Sequence, residues 1–286
     1  MVFILTLVNT NGLEVKVEKE APDFLRAQSA EVFGVRRFGN AVDIEFSGGR
    51  IDLTAQAEIW NADFAVQPAA FRRKKLLVSD MESTLVENEF LDDLAALIGV
   101  GDKVREITAR AMNGEIDFAG SLRARLALLA GQPVDLLEEV WTGLRWMPGA
   151  KKLVATLRSN GIRTVIVSGG FKIFTGRVRE VLGADADIAN DLEIVGGKLT
   201  GAPIEPILGK ETKQRILEST AAEMGISLDE TLAVGDGAND LPMLQTAGLG
   251  VAFRAKPSVA AAARCRVKYS DLTALLAFVG ISESTN

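Results

Sequence analysis

Two short apolar runs fix most of what this chain can become. Leu76-Leu77-Val78 leads within one residue into Asp80-Met81-Glu82-Ser83-Thr84, and Leu232-Ala233-Val234 leads directly into Gly235-Asp236-Gly237-Ala238-Asn239-Asp240. Runs this short and this apolar, bounded by turn residues, read as strands buried on both faces of a parallel sheet. Two acidic loops leaving the carboxyl ends of such strands can meet in one crevice, where ligands usually bind in open α/β sheets. Clustered carboxylates repel one another unless a cation sits between them, and a hard divalent ion with oxygen ligands, Mg²⁺ above all, meets that need. The arrangement implies a Mg²⁺-dependent enzyme acting on a phosphate.

The rest of the chain fits a sheet of this kind. Val86–Ile98 carries a helical stripe through Phe90, Leu91, Leu94, Leu97 and Ile98. Strands are predicted at 164–167, 231–234 and 249–253, helices at 171–182 and 210–224, and a hairpin at 192–200 around Gly196-Gly197. The alternation predicts an α/β fold with a doubly wound parallel sheet, its core drawn from residues 76–98 and 146–280. Residues 99–145 read as helical throughout and form a cap inserted over the site. Residues 1–70 read as a separate small α/β unit, with a strand at 2–8, a helix at 22–32 and a hairpin around Gly39-Asn40. The run Arg72-Arg73-Lys74-Lys75 marks the boundary and reads as a solvated joint.

Composition removes whole classes of function. The 286 residues contain no histidine, so Ser-His-Asp and Cys-His arrangements, histidine zinc ligands and phosphohistidine are all excluded. The net charge of −6 argues against a nucleic-acid partner. The single cysteine, Cys265, permits no internal disulfide and points to a reducing compartment. Its neighbours Arg264 and Arg266 could lower its pKa, but a structural thiol is the expected role. No apolar run reaches the ~18–20 residues that span a bilayer, so a cytoplasmic protein with no membrane partner is expected.

The motifs Asp80-x-Glu82-x-Thr84, Val167-Ser168-Gly169-Gly170, Lys213 and Gly235-Asp236-Gly237-x-Asn239-Asp240 occur in the order of the haloacid dehalogenase phosphatases, which the chain resembles over residues 76–280. Glu89, Phe118-x-x-Ser121-Leu122-Arg123-x-Arg125 and Ser168-Gly169-Gly170-Phe171 are similar to the phosphoserine phosphatase branch. The resemblance implies that Asp80 is a nucleophile forming an aspartyl-phosphate. It implies that Glu82 protonates the leaving alkoxide and then deprotonates the attacking water. Mg²⁺ would be held by Asp80, the Glu82 carbonyl and Asp236, with Asn239 and Asp240 ordering the surrounding shell. Ser168, Gly169 and Lys213 would bind the phosphoryl group, with Lys213 preferred to Lys210 for its place at the helix start.

On the cap, Arg125 would take the substrate carboxylate, Glu89 its ammonium, and Phe118 would close over the site. The substrate so implied is O-phospho-L-serine, with homoserine phosphate or another small phosphorylated metabolite as the alternative. Glu82 departs from the family pattern, which usually has Asp there. The added methylene moves the carboxyl by up to roughly 1.5 Å, and misplacement of ~1 Å can cost on the order of 10² in rate. The expectation is that the surroundings have adjusted to it; the alternative is a catalytically weak amino-acid sensor. The first 70 residues resemble in outline the ligand-sensing domains attached to some phosphoserine phosphatases, and a homodimer through that unit is expected.

Overall fold

The computed structural model describes residues 1–49, 51–209 and 211–282. The N-terminal part comprises β1 (Phe3–Val8), α1 (Val17–Ala27), β2 (Glu31–Phe38), β3 (Ala41–Ser47), α2 (Thr54–Ile59) and β4 (Asp63–Pro68). Then follow β5 (Leu76–Ser79), α3 (Phe90–Leu97), α4 (Gly101–Met112), α5 (Phe118–Ala127), α6 (Leu136–Thr142) and α7 (Ala150–Ser159). The chain continues through β6 (Arg163–Phe171), α8 (Lys172–Leu182), β7 (Ala186–Val195), β8 (Lys198–Ile204) and α9 (Glu211–Glu223). It closes with β9 (Thr231–Gly235), α10 (Leu241–Thr246), β10 (Leu249–Phe253), α11 (Pro257–Ala262), β11 (Cys265–Val267) and α12 (Ala274–Phe278).

Among the described residues, the eleven strands form one sheet in the order β2-β3-β1-β4-β11-β10-β9-β5-β6-β7-β8. From β11 to β7 every pairing is parallel. β5 and β9 are neighbours, with Ser79 opposite Val234, so their following loops emerge side by side. Both strands are buried along their whole length. Alternate side chains serve two layers: Leu77, Leu232 and Val234 pack with Leu94, Leu153 and Phe174 on one face, while Leu76, Val78 and Ala233 pack with Leu217, Met243 and Leu244 on the other. The helices form because their apolar residues fall on one stripe. In α7 these are Ala150, Leu153, Val154 and Leu157, all buried.

The N-terminal unit is stitched to the rest more firmly than its composition suggests. Its four antiparallel strands join the parallel sheet through the pair Arg266–Phe64. The expected helix at 22–32 lies instead at Val17–Ala27, because Val17, Ala21, Pro22 and Leu25 make the buried stripe. Ser29, with φ 64°, turns the chain out of it, and Glu31 onward pairs with β3. β4 and β11 escape the sequence reading altogether.

The basic run is only half solvated: Arg73 and Lys75 are exposed, but Arg72 and Lys74 turn inward. The Arg72 guanidinium reaches the buried Asp43 carboxylate at 2.5 Å and donates to the Ala277 carbonyl at 3.0 Å. Lys74 is 1% exposed, and its Nζ donates to the Asp229 carbonyl at 2.7 Å. Burial pulls its pKa down to about 8 against the attraction of Asp229 and Glu230. Lys75 pairs with Glu230 at 2.6 Å. Arg72 thus clips the N-terminal unit to the C-terminal helix, while Lys74 and Lys75 tie the start of β5 to the segment leading into β9. Arg72→Met should leave Asp43 with the exposed Arg36 as its one charged partner among the described residues, beside the Thr6 hydroxyl. The expected loss is about 3 kcal/mol of stability, read as a lower urea midpoint; an unchanged midpoint would show that the pair does not tie the units together.

Cys265 is buried on β11, and its Sγ lies 3.1 Å from the Phe64 carbonyl. Burial raises the thiol pKa, opposite to the lowering its arginine neighbours suggest, and marks it as a packing residue. No helix among the described residues is long and apolar enough to cross a membrane.

Candidate active site

Asp80 follows β5 directly and is 6% exposed. Its backbone N–H donates to the Val234 carbonyl at 3.0 Å, and its Oδ1 accepts from the Met81 N–H at 2.7 Å. Asp236 follows β9, and the Thr84 hydroxyl donates to its Oδ1 at 3.2 Å, tying the two loops together. Asp240 is fully buried beneath them. Its Oδ2 accepts from the Gly237 N–H at 2.9 Å, and a Cβ on Gly235 would lie 2.4 Å from its Cγ. Gly235 is therefore needed because the loop folds onto its own carboxylate.

Asp80, Asp236 and Asp240 each place a carboxylate oxygen within 4.8 Å of the others. Lys213, on α9 and 4% exposed, sits against this cluster, 2.7 Å from Asp80 Oδ2 and 2.6 Å from Asp240 Oδ1. Burial opposes its charge, but the two carboxylates more than offset that and raise its pKa. Burial, together with Asp240, holds the Asp80 carboxyl well above the usual range in spite of Lys213. Asp236 is raised for the same two reasons, burial first. Three carboxylates and one ammonium leave two negative charges uncompensated, and all the donors are oxygen. The set fits a hard divalent cation. Lys210 lies outside the described residues.

Glu82 faces the cleft with both oxygens engaged. Oε1 accepts from the Phe90 N–H at 2.8 Å, at the start of α3, and Oε2 accepts from the Ser168 hydroxyl at 3.4 Å. A Cβ on Gly170 would lie 2.5 Å from that Oε2. The bare glycine gives the longer side chain its room, and the α3 amide gives it a fixed seat. Enclosure by protein and the nearby Glu89 push its pKa up to about 8. The shift favours the protonated carboxyl, the form a general acid needs.

Ser168 ends the regular part of β6, and its Oγ accepts from the Gly170 N–H at 2.9 Å. The Gly169 carbonyl accepts from Asn190 at 2.8 Å. Above it, the Phe118 ring would lie 3.4 Å from a Cβ at Gly169, so α5 rests on the Ser168-Gly169-Gly170 turn. Asp117 caps that helix through the Gly120 N–H at 2.7 Å. Arg125, two turns along from Phe118, shares its face, and its Nε donates to the Ser121 carbonyl at 3.4 Å. Burial lowers its pKa against the pull of Asp92, Glu82 and Glu89. Glu89 Oε1 accepts from the Ser83 hydroxyl at 2.7 Å.

A cleft of about 490 Å³ joins these groups: Asp80, Glu82, Glu89, Phe118, Arg125, Ser168, Gly169, Asp236 and Asn239 all line it. Lys213 does not line this cleft; it lines a small pocket beside it, with Phe118, Ser168, Gly169 and Asn239 shared between the two. Asp240 and Lys213 are the two expected site residues that lie beneath the cleft rather than on its wall. Sequence reasoning missed Gly170 as the space for Glu82, Asp92 beside Arg125, and the stretch Lys256–Val259. The positive φ of Ser83 (53°), within the first acidic loop, carried no sequence signal.

Residues 77–245 match the model of the haloacid dehalogenase-like hydrolases. A phosphoserine phosphatase from Streptomyces coelicolor is 44% identical over 82% of this chain and 57% of its own length. One from Lactococcus lactis is 44% identical over 72% of this chain and 95% of its own. The crystal structure of a HAD family hydrolase from Salmonella enterica serovar Typhi covers 98% of both chains at 27% identity, with a TM-score of 0.86. This chain thus spans less than two thirds of the length of the Streptomyces relative, while covering nearly all of the shorter Lactococcus one. The family match over residues 77–245 and the identity to these relatives show that the chain belongs to the haloacid dehalogenase-like hydrolase family.

Proposed function

We propose that the protein hydrolyses O-phospho-L-serine to L-serine and inorganic phosphate in serine biosynthesis, with Mg²⁺ as its metal. The observation that carries this is the meeting of Asp80 and Glu82 in one cleft with Glu89 from the core and Arg125 from the cap above. The phosphatase names of the relatives support it.

Asp80 attacks phosphorus through a carboxylate oxygen, and the bond from phosphorus to the serine oxygen breaks. The departing alkoxide takes the proton from Glu82. Water then gives its proton to Glu82 and attacks the aspartyl-phosphate, which restores Asp80 and releases phosphate. Lys213 holds Asp80 in place and offers its charge to the phosphoryl group, as do the Ser168 hydroxyl and the backbone of Gly169. Asp80, Asp236 and the Glu82 carbonyl would hold Mg²⁺, with Asp240 and Asn239 fixing the loop. Bound there, Mg²⁺ supplies positive charge that lets an anionic nucleophile approach an anionic phosphate. Phe118 on Gly169 excludes water.

Arg125 reads the α-carboxylate and Glu89 the α-ammonium. Arg125→Ala should raise KM for phosphoserine about 100-fold, the equivalent of losing one charge-assisted pair. A KM within twofold of the parent would remove Arg125 from substrate recognition. The substrate itself is tested by phosphate release from phosphoserine, homoserine phosphate, phosphothreonine and a sugar phosphate side by side. Preference for phosphoserine is expected; faster turnover of homoserine phosphate would move the substrate and keep the chemistry. The reduced, buried Cys265 suits a cytoplasmic enzyme. A homodimer through residues 1–70 is read by light scattering of the full chain.

A further inference from the structure

The cleft that should receive a phosphate dianion is lined by five carboxylates, Asp80, Glu82, Glu89, Asp92 and Asp236, and by two cations, Arg125 and Lys256. Arg125 sits on the cap among Asp92, Glu82 and Glu89, whose charges surround it. Lys213 is buried and already shared between Asp80 and Asp240. Lys256 differs from both. It is exposed, and its ammonium makes no hydrogen bond or ion pair among the described residues.

The fold brings it there by an unusual turn. β10 pairs with β9, Ala252 opposite Gly235, so the loop after β10 runs beside the loop that carries Asp236. Arg254, just past β10, has φ 46°, a conformation that side-chain-bearing residues rarely adopt. Its N–H is pinned to the Val267 carbonyl at 3.0 Å. Backbone held in that state costs energy and is concentrated at working sites. Ser83, in the Asp80 loop, shows the same feature, as do Ser29 and Asn61 in the N-terminal unit. The consequence of the turn at Arg254 is that Lys256 and Ser258 reach the cleft wall next to Asp236 and Asn239.

We propose that Lys256 is the electrostatic guide of the site, drawing phosphomonoester dianions past the carboxylates at the mouth and seating them toward the Asp236 loop. The proposal rests on the phosphatase reading for its substrate, and on the charge layout of the cleft for its cause. A charge at the mouth of a cleft acts on encounter and weak binding, so its effect falls on kcat/KM more than on kcat. It is also screened: the Debye length shrinks from about 30 Å at 0.01 M salt to about 3 Å at 1 M.

The test is kcat/KM for phosphoserine at saturating Mg²⁺, across that salt range, for the parent, Lys256→Gln, Lys256→Arg and Lys19→Gln. Lys19 is exposed on α1 and controls for net charge. Lys256→Gln should lose about tenfold at low salt and converge on the parent at high salt. Lys256→Arg should keep the parent's rate and salt slope, and Lys19→Gln should match the parent. A Lys256→Gln profile indistinguishable from that of Lys19→Gln overturns the proposal, as does a deficit that salt does not diminish. Calorimetric binding of inorganic phosphate with Mg²⁺ present separates the two readings. If phosphoserine is not turned over, yet phosphate binds the parent more tightly than Lys256→Gln at low salt and equally at high salt, the guide stands and the substrate assignment falls. If phosphoserine is hydrolysed and both measurements ignore Lys256, the guide falls alone.

Discussion

Asp80→Asn should abolish phosphate release, lowering the single-turnover rate by at least about 10⁴-fold, because the amide cannot form the acyl-phosphate on which both transfers depend. The fold should not suffer. The Asp80 carboxyl is buried against Asp240, and its pKa lies well above the usual carboxylate range. A group whose folded-state pKa is raised in this way stabilises the fold only while protonated, and that contribution is lost as pH rises through its folded value. Without metal, burial and the neighbouring Asp240 disfavour a charge on Asp80, a cost that Asn removes. Metal-free Asp80→Asn should therefore melt no lower than the parent. Retained turnover would remove Asp80 as nucleophile, and a lower melting temperature would mean that its pairing with Lys213 outweighs the crowding.

The second large effect belongs to Glu82. Glu82→Gln keeps the shape and an oxygen to accept from Phe90 N–H, but it cannot carry a proton, so a loss of about 10³-fold is expected in single-turnover phosphate release. Glu82→Asp keeps the proton and loses the reach. Shortening the arm by roughly 1.5 Å withdraws the carboxyl from the Phe90 amide and from the space left by Gly170. A loss of about 10²-fold is expected. A gain of that size for Asp would mean that the surroundings have not adjusted to Glu and that the natural residue is a handicap. Equal rates for the parent and Glu82→Gln would take proton transfer away from this residue.

What could be read from the sequence follows the strength of its local signals. β5, β9 and β10 are short apolar runs next to turn residues, and each is legible alone. The acidic loops inherit their positions from those strands, so the meeting of Asp80 and Asp236 follows from parallel pairing. Phe118 and Arg125 are seven residues apart, two turns of one helix, and their shared face is legible too. Where that face lands is not, since it depends on how α5 packs on the rest. β4 alternates buried and less buried positions, and Val66 points outward at 38% exposure, which blurs its apolar pattern. β11 is three residues long and carries no period at all.

Other features were hidden because they are tertiary. The basic run 72–75 looks solvated until Asp43, Asp229 and Glu230 arrive from distant parts of the chain. Pro22 suggested a helix start but lies inside α1, where the buried stripe overrides it. Glu82 looked like a mismatch in the motif alone. Its seat is made by Phe90 and Gly170, the second of them 88 positions further on, and only the fold puts them together.

The most direct test of the account is phosphate release from L-phosphoserine by the full chain, with Mg²⁺ and then with EDTA. Steady release that stops with the chelator and returns with added Mg²⁺ is the predicted result. Release that continues undiminished in EDTA would contradict the metal-dependent mechanism, and no release with Mg²⁺ present would contradict the hydrolytic function itself.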